Sequence, residues 1–421
     1  MPALQDAPAS GPRNLTILSV GAQGDGRAEE NGVRVSVPFT LAGETVRVEG
    51  AGDRLKLLDV VTPSPDRAAP ACGHFTRCGG CTLQHMAPAP YAVFKRDQIL
   101  RVLSARGLEA DVAETWITPQ GSRRRAAFTA KRAGKQVIVG FHARKSHELV
   151  AISECPVARP AIVAALPRLK EIAGFLLDGK DGIGLLVTET ASGLDLHITG
   201  LAKEVKALAR AEAASAALRA GFARVSIEDA DVLTERRPSL PAGAANLLPP
   251  PGSFLQASAE AEAEMERIVR EHLKHAASVA DLFAGCGTFA LRLAAEASVL
   301  AAEGNVVAID ALRESVRAAH GLKPVTAEVR DLFRNPYGAA ELSRLGGIVL
   351  DPPRAGAAAQ VAEIAKSFVP KVAYVSCDPA TLARDLRTLV GGGYRIVRIH
   401  PIDQFLWSAH VEAVALLEKT R

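Results

Sequence analysis

The chain has 421 residues, too many for one ordinary hydrophobic core, so two or three domains are expected. Apolar residues make up 48% of the sequence and charged residues 23%. This composition is typical of a folded protein and excludes bulk disorder. No run approaches the ~18 apolar residues that a membrane span needs, and the N-terminus lacks a signal-peptide pattern. We therefore expect a flexible tail over residues 1–13 and a cytoplasmic protein that does not associate with membranes.

The net charge of +4 is only mildly basic, but the basic residues are distributed unevenly. Residues 115–147 contain eight Lys or Arg and no Asp or Glu. A solvated face usually mixes both signs of charge, whereas a surface that binds phosphates needs one sign. The stretch is therefore a candidate nucleic-acid-binding segment. Its candidate phosphate-binding residues are Arg123, Arg124, Arg125, Lys131 and Arg132.

Residues 14–62 alternate in polarity like short strands, with turn signals such as Gly24-Asp25-Gly26 between them. Short strands at this spacing predict a small OB-like β-barrel. Such barrels often bind RNA, yet this segment holds five basic and seven acidic residues, a balance that does not favour phosphate. The sequence leaves open whether the barrel contacts nucleic acid.

Residues 67–255 predict a mixed α+β central domain, which ends in a Pro-, Gly- and Ala-rich linker at 238–251. Cys72, Cys78 and Cys81 follow a C-x5-C-x2-C spacing, and Cys155 lies further along. Because disulfides are not expected in a cytoplasmic chain, metal ligation is the better interpretation of these thiols. Four thiolates can hold either zinc or an iron–sulfur cluster in a closed structural site.

Residues 256–421 alternate between helical and strand-like segments, which predicts a doubly wound, mostly parallel α/β sheet. Expected strands include SVADLF, NVVAID, GGIVLD, KVAYVSC, YRIVRIH and VEAVALLE. Ligands of such sheets bind beyond the carboxyl ends of the strands.

The first of these strands runs into a glycine-rich turn at Gly285 and Gly287, where the backbone can approach a ligand. Asp310 ends the predicted next strand, 23 residues after Gly287, where an acid can bind ribose hydroxyls. A plain tight turn is the alternative. A dinucleotide site is another, since Gly285, Gly287 and Ala290 fit the G-x-G-x-x-A pattern.

Three further polar residues stand at ends of predicted strands. Asp351 precedes two prolines that fix a stiff loop, although taken alone it is better explained as a turn former. Cys377 lies between a strand and a helix N-terminus, a position that lowers the pKa of a thiol and suits a nucleophile. Glu412 opens the last apolar strand, where a carboxylate is costly unless it is used.

Together these motifs resemble the RNA uracil-5-methyltransferase family over nearly the whole chain. The segments that carry the resemblance are Phe254-Leu-Gln256, DLFAGCGTFALRLA, VLDPPRAG, YVSCDPATLARDL and FLWSAHVE. The resemblance implies S-adenosylmethionine as methyl donor and RNA as substrate, with Cys377 attacking carbon 6 of uracil and Glu412 removing the carbon-5 proton. It implies cofactor contacts by Gln256, Phe283, Thr288, Asp310, Asp331 and Asp351, in addition to the glycine-rich turn.

The four cysteines resemble those of the iron–sulfur subset of this family, which implies a [4Fe-4S] cluster that holds the RNA-binding segment. The N-terminal barrel resembles the TRAM domain of the branch that methylates large-subunit ribosomal RNA. We therefore expect 23S rRNA as the substrate, with transfer RNA as the alternative, and a monomeric enzyme.

Two departures from the family pattern stand out. Asp310 occupies a ribose-binding position that is often Glu, and FLWSA replaces FP-x-T before the terminal H-x-E. Two other function classes stay open: an NAD-linked oxidoreductase and an RNA-binding protein with an inactive methyltransferase fold. A DNA cytosine methyltransferase is disfavoured, because the chain lacks both Pro-Cys before the nucleophile and a Glu-Asn-Val motif.

Overall fold

The computed structural model describes residues 11–177, 181–202, 205–228 and 230–420. No helix within these ranges has the length and apolar character needed to cross a membrane. Residues 1–10 of the expected tail lie outside the described residues, and the first strand begins at Arg13.

The N-terminal β unit consists of two small antiparallel sheets with strand orders β1-β5-β6 and β2-β3-β4. Its strands are β1 (Arg13–Thr16), β2 (Ser19–Val20), β3 (Gly26–Glu30), β4 (Val33–Val37), β5 (Thr45–Glu49) and β6 (Lys56–Thr62). Alternate residues such as Val35, Val37, Val46 and Val48 point inward and share one core. Strand β3 was not expected, because its sequence GRAEE lacks apolar alternation.

The middle of the chain contains a seven-stranded sheet with the order β10-β9-β8-β11-β12-β13-β14. Leu169 and Ile172 of α3 and Ala213 and Ala217 of α4 pack in its hydrophobic core. The elements of this region are α1 (Pro88–Ser104), β7 (Trp116–Ile117), β8 (Arg125–Ala133), β9 (Gln136–His142), β10 (Leu149–Ala151), α2 (Pro160–Ala164), α3 (Leu166–Leu176), β11 (Ile183–Thr190), β12 (Gly193–Thr199), α4 (Ala207–Arg219), β13 (Arg224–Ile227), β14 (Ala230–Thr234), β15 (Leu240–Ala242) and β16 (Ala245–Leu247).

The C-terminal domain is a doubly wound α/β sheet, as expected, with the order β19-β18-β17-β20-β21-β23-β22-β7. Strand β23 is antiparallel to both of its neighbours, while β17 to β21 are mutually parallel. Its elements are α5 (Ala259–Leu273), β17 (Ser278–Leu282), α6 (Ala290–Leu293), β18 (Ser298–Glu303), α7 (Val306–Ala318), β19 (Val325–Val329), α8 (Ala339–Leu342), β20 (Gly347–Leu350), α9 (Ala358–Lys366), β21 (Lys371–Ser376), α10 (Pro379–Gly391), β22 (Tyr394–Asp403) and β23 (Glu412–Lys419).

Side chains of the parallel strands are buried on both faces of this sheet. Val279 and Val349 face one core, whereas Ala280 and Ile348 face the other. Strands covered on both sides appear as continuous apolar runs in the sequence, and polar residues mark the points where these strands end.

Two boundaries differ from those expected. Residues 88–117 pack with the C-terminal domain, because Ile99 and Leu103 of α1 enter its core and β7 pairs with β22. The segment 238–251, expected to be a linker, forms the β15–β16 hairpin, whose residues Leu240 and Leu247 are buried in the same domain. Alternating apolar residues around a turn at Gly243, where φ is +66°, account for this hairpin.

Candidate active site

The carboxyl ends of the five parallel strands gather the candidate residues at one edge of the C-terminal sheet. Strand β23 runs in the opposite direction, so its first residue, Glu412, lies at this same edge, beside the carboxyl end of β22. Polar residues that are distant in sequence are thereby brought together. From β17 to β23 the strand ends present Phe283, Glu303, Asp331, Asp351, Cys377 and Glu412.

The glycine-rich turn after β17 is closely packed against α7. A side chain at Gly287, where φ is +97°, would bring its Cβ within 2.4 Å of Leu312. Asp281 at the end of β17 accepts the N–H of Ala290 at 2.7 Å, while its other carboxylate oxygen has no partner among the described residues. Burial raises the pKa of Asp281 to about 7.

Gly285 and Thr288 lie on either side of this turn. Gly285 has a φ of +53° and donates its N–H to Glu303 Oε2 at 3.2 Å. The carbonyl of Thr288 accepts a hydrogen bond from Arg292 at 2.6 Å. The backbone of the turn is therefore fixed from both sides.

The expected strand NVVAID is a helix, so the position assigned to Asp310 was wrong. Asn305 accepts the N–H groups of Val307 and Ala308 and caps α7, which carries Asp310 on its exposed side, paired with Arg313 at 3.1 Å. The strand that follows the turn is the preceding segment, and it ends at Glu303. The alanines of β18 gave this segment the composition of a helix, so the sequence did not predict it as a strand.

Glu303 therefore stands where the acid after the second parallel strand was expected. Its Oε1 accepts the N–H of Asn305 at 2.9 Å, so its carboxylate is held between two backbone donors. The sequence feature that could have identified this residue is the pair Glu303-Gly304 at the end of an apolar run.

Asp331 follows β19 and shapes a turn, in which its Oδ1 accepts the N–H of Phe333 at 3.0 Å. This turn places the Phe333 ring 5.3 Å from the ring of Phe283, centroid to centroid. Phe283 has a φ of +66°, a strained backbone for an aromatic residue. The two rings offer flat apolar faces near the ends of β17 and β19, and Phe333 was not among the expected site residues.

Gln256 and Asp351 are directly joined, since the Gln256 amide donates to Asp351 Oδ2 at 2.9 Å. Gln256 is buried, and the loop before α5 that carries it reaches the end of β20. Burial and the neighbouring carboxylates of Glu412 and Asp281 raise the pKa of Asp351.

Cys377 lies between the end of β21 and the N-cap of α10, as expected, and its thiol is half-buried. The expected lowering of its pKa is wrong for the free protein. Burial, followed by the charge of Glu412, raises the pKa of Cys377 to about 11, while the Arg354 guanidinium acts in the opposite direction. The helix N-terminus is occupied by the Asp378 carboxylate, which accepts the N–H groups of Ala380 and Thr381.

Glu412 is buried, with 2% of its surface exposed, and burial raises its pKa to about 7. Its Oε2 accepts a hydrogen bond from Gln404 at 2.5 Å. A carboxylate with this pKa can accept a proton near neutral pH. His410 precedes β23 rather than lying on it, is exposed, and points at Arg354 at 3.3 Å.

The four cysteines at 72, 78, 81 and 155 lie near one another. Burial, and secondarily the thiolates of Cys155, Cys78 and Cys72, raise the pKa of Cys81 to about 12. As placed, no set of three or more His, Cys, Asp or Glu side chains within the described ranges could hold a metal ion.

The cysteine loop (residues 72–81) continues into residues that contact the 404–411 loop before β23. The carbonyl of Trp407, at a φ of +60°, accepts the N–H groups of Thr82 at 2.8 Å and Leu83 at 2.9 Å. From α1, Tyr91 and Lys95 both bind the Asp403 carboxylate, at 2.5 and 2.8 Å. The residues directly after the cysteine loop, together with α1, therefore support the segment that presents Glu412.

Arg124 does not face solvent, so its assignment to phosphate binding was wrong. It is 5% exposed and forms an ion pair with the buried Glu262, which also binds Arg292 at 2.6 Å. Its Nε donates to the carbonyl of Gln256 at 3.1 Å. Arg124 directly precedes β8, and its inward position continues the alternation of that strand, in which Ala126 and Phe128 are buried.

The other four basic residues differ in exposure. Arg123 and Arg125 are half-buried, and the Arg123 guanidinium lies 5.9 Å from the centre of the Phe405 ring. Lys131 and Arg132 are exposed near the β8–β9 turn, although Arg132 donates to the carbonyls of Gly174 and Leu177.

Comparison with known proteins assigns the family. Residues 248–420 match the tRNA (uracil-5-)-methyltransferase family. An RNA methyltransferase of Mesorhizobium japonicum is 47% identical over 97% of this chain and 98% of its own length. The 23S rRNA (uracil(1939)-C(5))-methyltransferase of Halomonas elongata is 34% identical over 98% of this chain and 91% of its own length.

Among solved structures, the Pyrococcus abyssi tRNA (uracil-54, C5)-methyltransferase in complex with S-adenosyl-L-homocysteine superposes with a TM-score of 0.75. It is 25% identical and covers 96% of this chain and 99% of its own. The chain belongs to the RNA uracil-5-methyltransferase family.

Proposed function

We propose that the protein transfers a methyl group from S-adenosylmethionine to carbon 5 of a uridine in 23S rRNA through a covalent intermediate on Cys377. The observation that carries this proposal is the meeting of Cys377, Glu412 and Asp351 at one strand edge, close enough for their charges to interact. A thiol nucleophile and a buried carboxylate with a pKa near neutrality are the two groups that the chemistry needs.

S-adenosylmethionine supplies a methyl group on a sulfonium centre. In this proposal Glu303 binds its ribose hydroxyls, and the rings of Phe283 and Phe333 flank its adenine. The position of Glu303 at the end of β18 and the closeness of the two rings support these roles. Gln256 and Asp351 would line the part of the pocket nearest the reacting carbon. The free oxygen of Asp281 offers one further acceptor below the turn.

The reaction begins when Cys377 loses its thiol proton and the thiolate attacks carbon 6 of uracil, which makes carbon 5 nucleophilic. Carbon 5 would then take the methyl group from the sulfonium by displacement, with the neutral thioether of the donor as leaving group. Arg354 favours the thiolate by its charge and a hydrogen bond. Glu412 then removes the carbon-5 proton, and the carbon–sulfur bond breaks to release Cys377. The uracil must be unstacked to reach this edge, as in other enzymes that modify a base.

We propose that the four cysteines hold a [4Fe-4S] cluster. Their sulfurs accept hydrogen bonds, from the N–H of His74 to Cys72 and of Gly80 to Cys78, and from Gln84 to Cys81. Such bonds stabilise cluster thiolates. We infer a structural role for the cluster, because Thr82 and Leu83, which follow the cysteine loop directly, donate hydrogen bonds to Trp407 in the 404–411 loop.

The RNA surface that we propose combines Arg123 and Arg125 beside the active site with Lys131 and Arg132 at the β8–β9 turn. We assign the N-terminal β unit to a TRAM domain. The relative from Halomonas elongata favours ribosomal RNA, and the Pyrococcus abyssi structure supports transfer RNA as the alternative. Either RNA fits a cytoplasmic enzyme.

Methylation of purified transcripts tests this function. Ribosomal RNA fragments and transfer RNA are each incubated with labelled S-adenosylmethionine and the wild-type protein or Cys377→Ala. We expect 5-methyluridine in ribosomal RNA with the wild type only, and unchanged cofactor binding by the variant. Methylation by Cys377→Ala at the wild-type rate would contradict the covalent mechanism. Methylation of transfer RNA alone would reverse the substrate assignment.

A further inference from the structure

Gln404 lies between the cofactor side and the base side of the proposed active site. Its amide nitrogen donates to Glu412 Oε2 at 2.5 Å and to Gln256 Oε1 at 2.8 Å. Gln256 in turn donates to Asp351 at 2.9 Å. Gln404, Gln256 and Glu412 are each 2% exposed, so water does not compete for these bonds.

The orientation of the Gln404 amide is determined by its surroundings. The N–H of Ala257 donates to Gln404 Oε1 at 3.0 Å, so this atom must be the oxygen. Both hydrogens of the amide nitrogen are then used, one on Gln256 and one on Glu412. A flipped amide would set its oxygen against the Glu412 carboxylate and its nitrogen against another donor. The side chain therefore has one satisfied arrangement.

We propose that Gln404 is a positioning residue, which holds the Glu412 carboxylate towards carbon 5 and links its orientation to Gln256 in the cofactor site. This inference rests on the proposed role of Glu412 as the base. The backbone N–H of Ala257, next to Gln256, completes the link, so the loop that closes the cofactor pocket also orients the base.

The same hydrogen bond affects when Glu412 is ionised. Three groups face this carboxylate: Asp351 and Cys377 disfavour its charge when they are ionised, whereas Arg354 favours it. The bond from Gln404 lowers the pKa of Glu412, against the larger effect of burial. Without the bond, a smaller fraction of Glu412 is ionised at neutral pH.

The test compares Gln404→Met with Gln360→Met. Gln360 is also a fully buried glutamine, but within the described part of the chain its amide bonds only the backbone of Tyr337. It therefore controls for the loss of a buried amide. Single-turnover release of methylated RNA from the enzyme, the step that follows proton removal by Glu412, is measured across pH, together with the fraction of protein covalently bound to RNA. For Gln404→Met we expect the acid limb to move up by about one pH unit, since hydrogen bonds to charged groups have this size. At pH 7 the rate of product release should fall about five-fold, because a smaller fraction of Glu412 is ionised, and methylated adduct should accumulate.

Gln360→Met should keep the wild-type pH profile and form no adduct, whatever its stability. Gln404→Glu is the second variant if Gln404→Met does not fold. It keeps the shape of the side chain and the hydrogen bond from Ala257. It should move the acid limb of the pH profile in the same direction as Gln404→Met. A lower rate with an unchanged pH profile and no adduct in both Gln404 variants would overturn the inference. The Glu412→Gln variant distinguishes failure of the proposed base role of Glu412 from failure of the proposed positioning role of Gln404. Normal turnover of that variant overturns the base assignment itself, whereas a trapped Glu412→Gln beside normal Gln404 variants overturns only the positioning role.

Discussion

The buried ion pair of Arg124 predicts that replacing this residue weakens folding rather than RNA binding. Its guanidinium and the Glu262 carboxylate are 6% and 5% exposed. Arg124→Ala therefore leaves a buried carboxylate whose remaining ion-pair partner among the described residues is Arg292. Removing one partner of a buried pair costs about 3–5 kcal/mol, and the remaining arginine reduces this to about 2–3 kcal/mol. For a domain of this size, the melting temperature should fall by roughly 5–10 °C.

The matched control is Lys131→Ala, a change at an exposed basic residue of β8, the strand that follows Arg124 directly. Its melting temperature should stay within 1–2 °C of the wild type by the small cost of surface changes, about 0.5 kcal/mol or less. Salt dependence of RNA binding separates the two roles: Lys131→Ala should reduce the slope of log K against log salt by about 0.7–0.9, and Arg124→Ala should leave it unchanged. An Arg124→Ala protein with normal melting and a reduced slope would refute the buried role.

Three other outcomes follow from the site. Glu303→Ala should weaken S-adenosylmethionine binding roughly 10- to 150-fold in calorimetry, which corresponds to the free energy of hydrogen bonds to a charged group. Asp310→Ala should leave the affinity unchanged. Equal losses of affinity in the two variants would support Asp310 as a ribose-binding residue. Cys78→Ser should lose iron and sulfide by metal analysis, while Cys286→Ser keeps both; zinc without iron in anaerobically prepared wild type would reject the cluster. Because Glu412 must lose its proton to act and its pKa is raised to about 7, methylation should increase from pH 6 to pH 8. A rate that is flat or falls over this range would contradict that role.

The sequence predicted the doubly wound sheet and most of its strand ends for a physical reason. Strands buried on both faces are continuous apolar runs, and the runs of β20 and β21 end directly before the candidate residues Asp351 and Cys377. Glu412 was detectable by the opposite signal, a carboxylate at the start of an apolar strand.

Other features depend on contacts that no local pattern contains. The alanine-rich β18 has the composition of a helix, and the valine-rich start of α7 has the composition of a strand. The acidic residue expected at the end of the second parallel strand was therefore assigned to Asp310, whereas that strand ends at Glu303. Charge alone cannot separate Arg124 from its exposed neighbours, because its partner lies 138 residues away. The role of Gln404 likewise requires a buried side chain, Gln256, 148 positions distant.

Trapping of the covalent intermediate tests the central claim most directly. Glu412→Gln keeps the shape of the side chain but cannot take the carbon-5 proton, so attack and methyl transfer proceed and elimination stalls. The account predicts a protein–RNA adduct that survives denaturing electrophoresis, carries labelled methyl and is absent from the Cys377→Ala, Glu412→Gln double variant. General bases contribute about 10²–10⁴-fold, so slow release from the adduct is expected. Normal turnover by Glu412→Gln, or no adduct in a variant that still binds RNA and S-adenosylmethionine, would contradict the account.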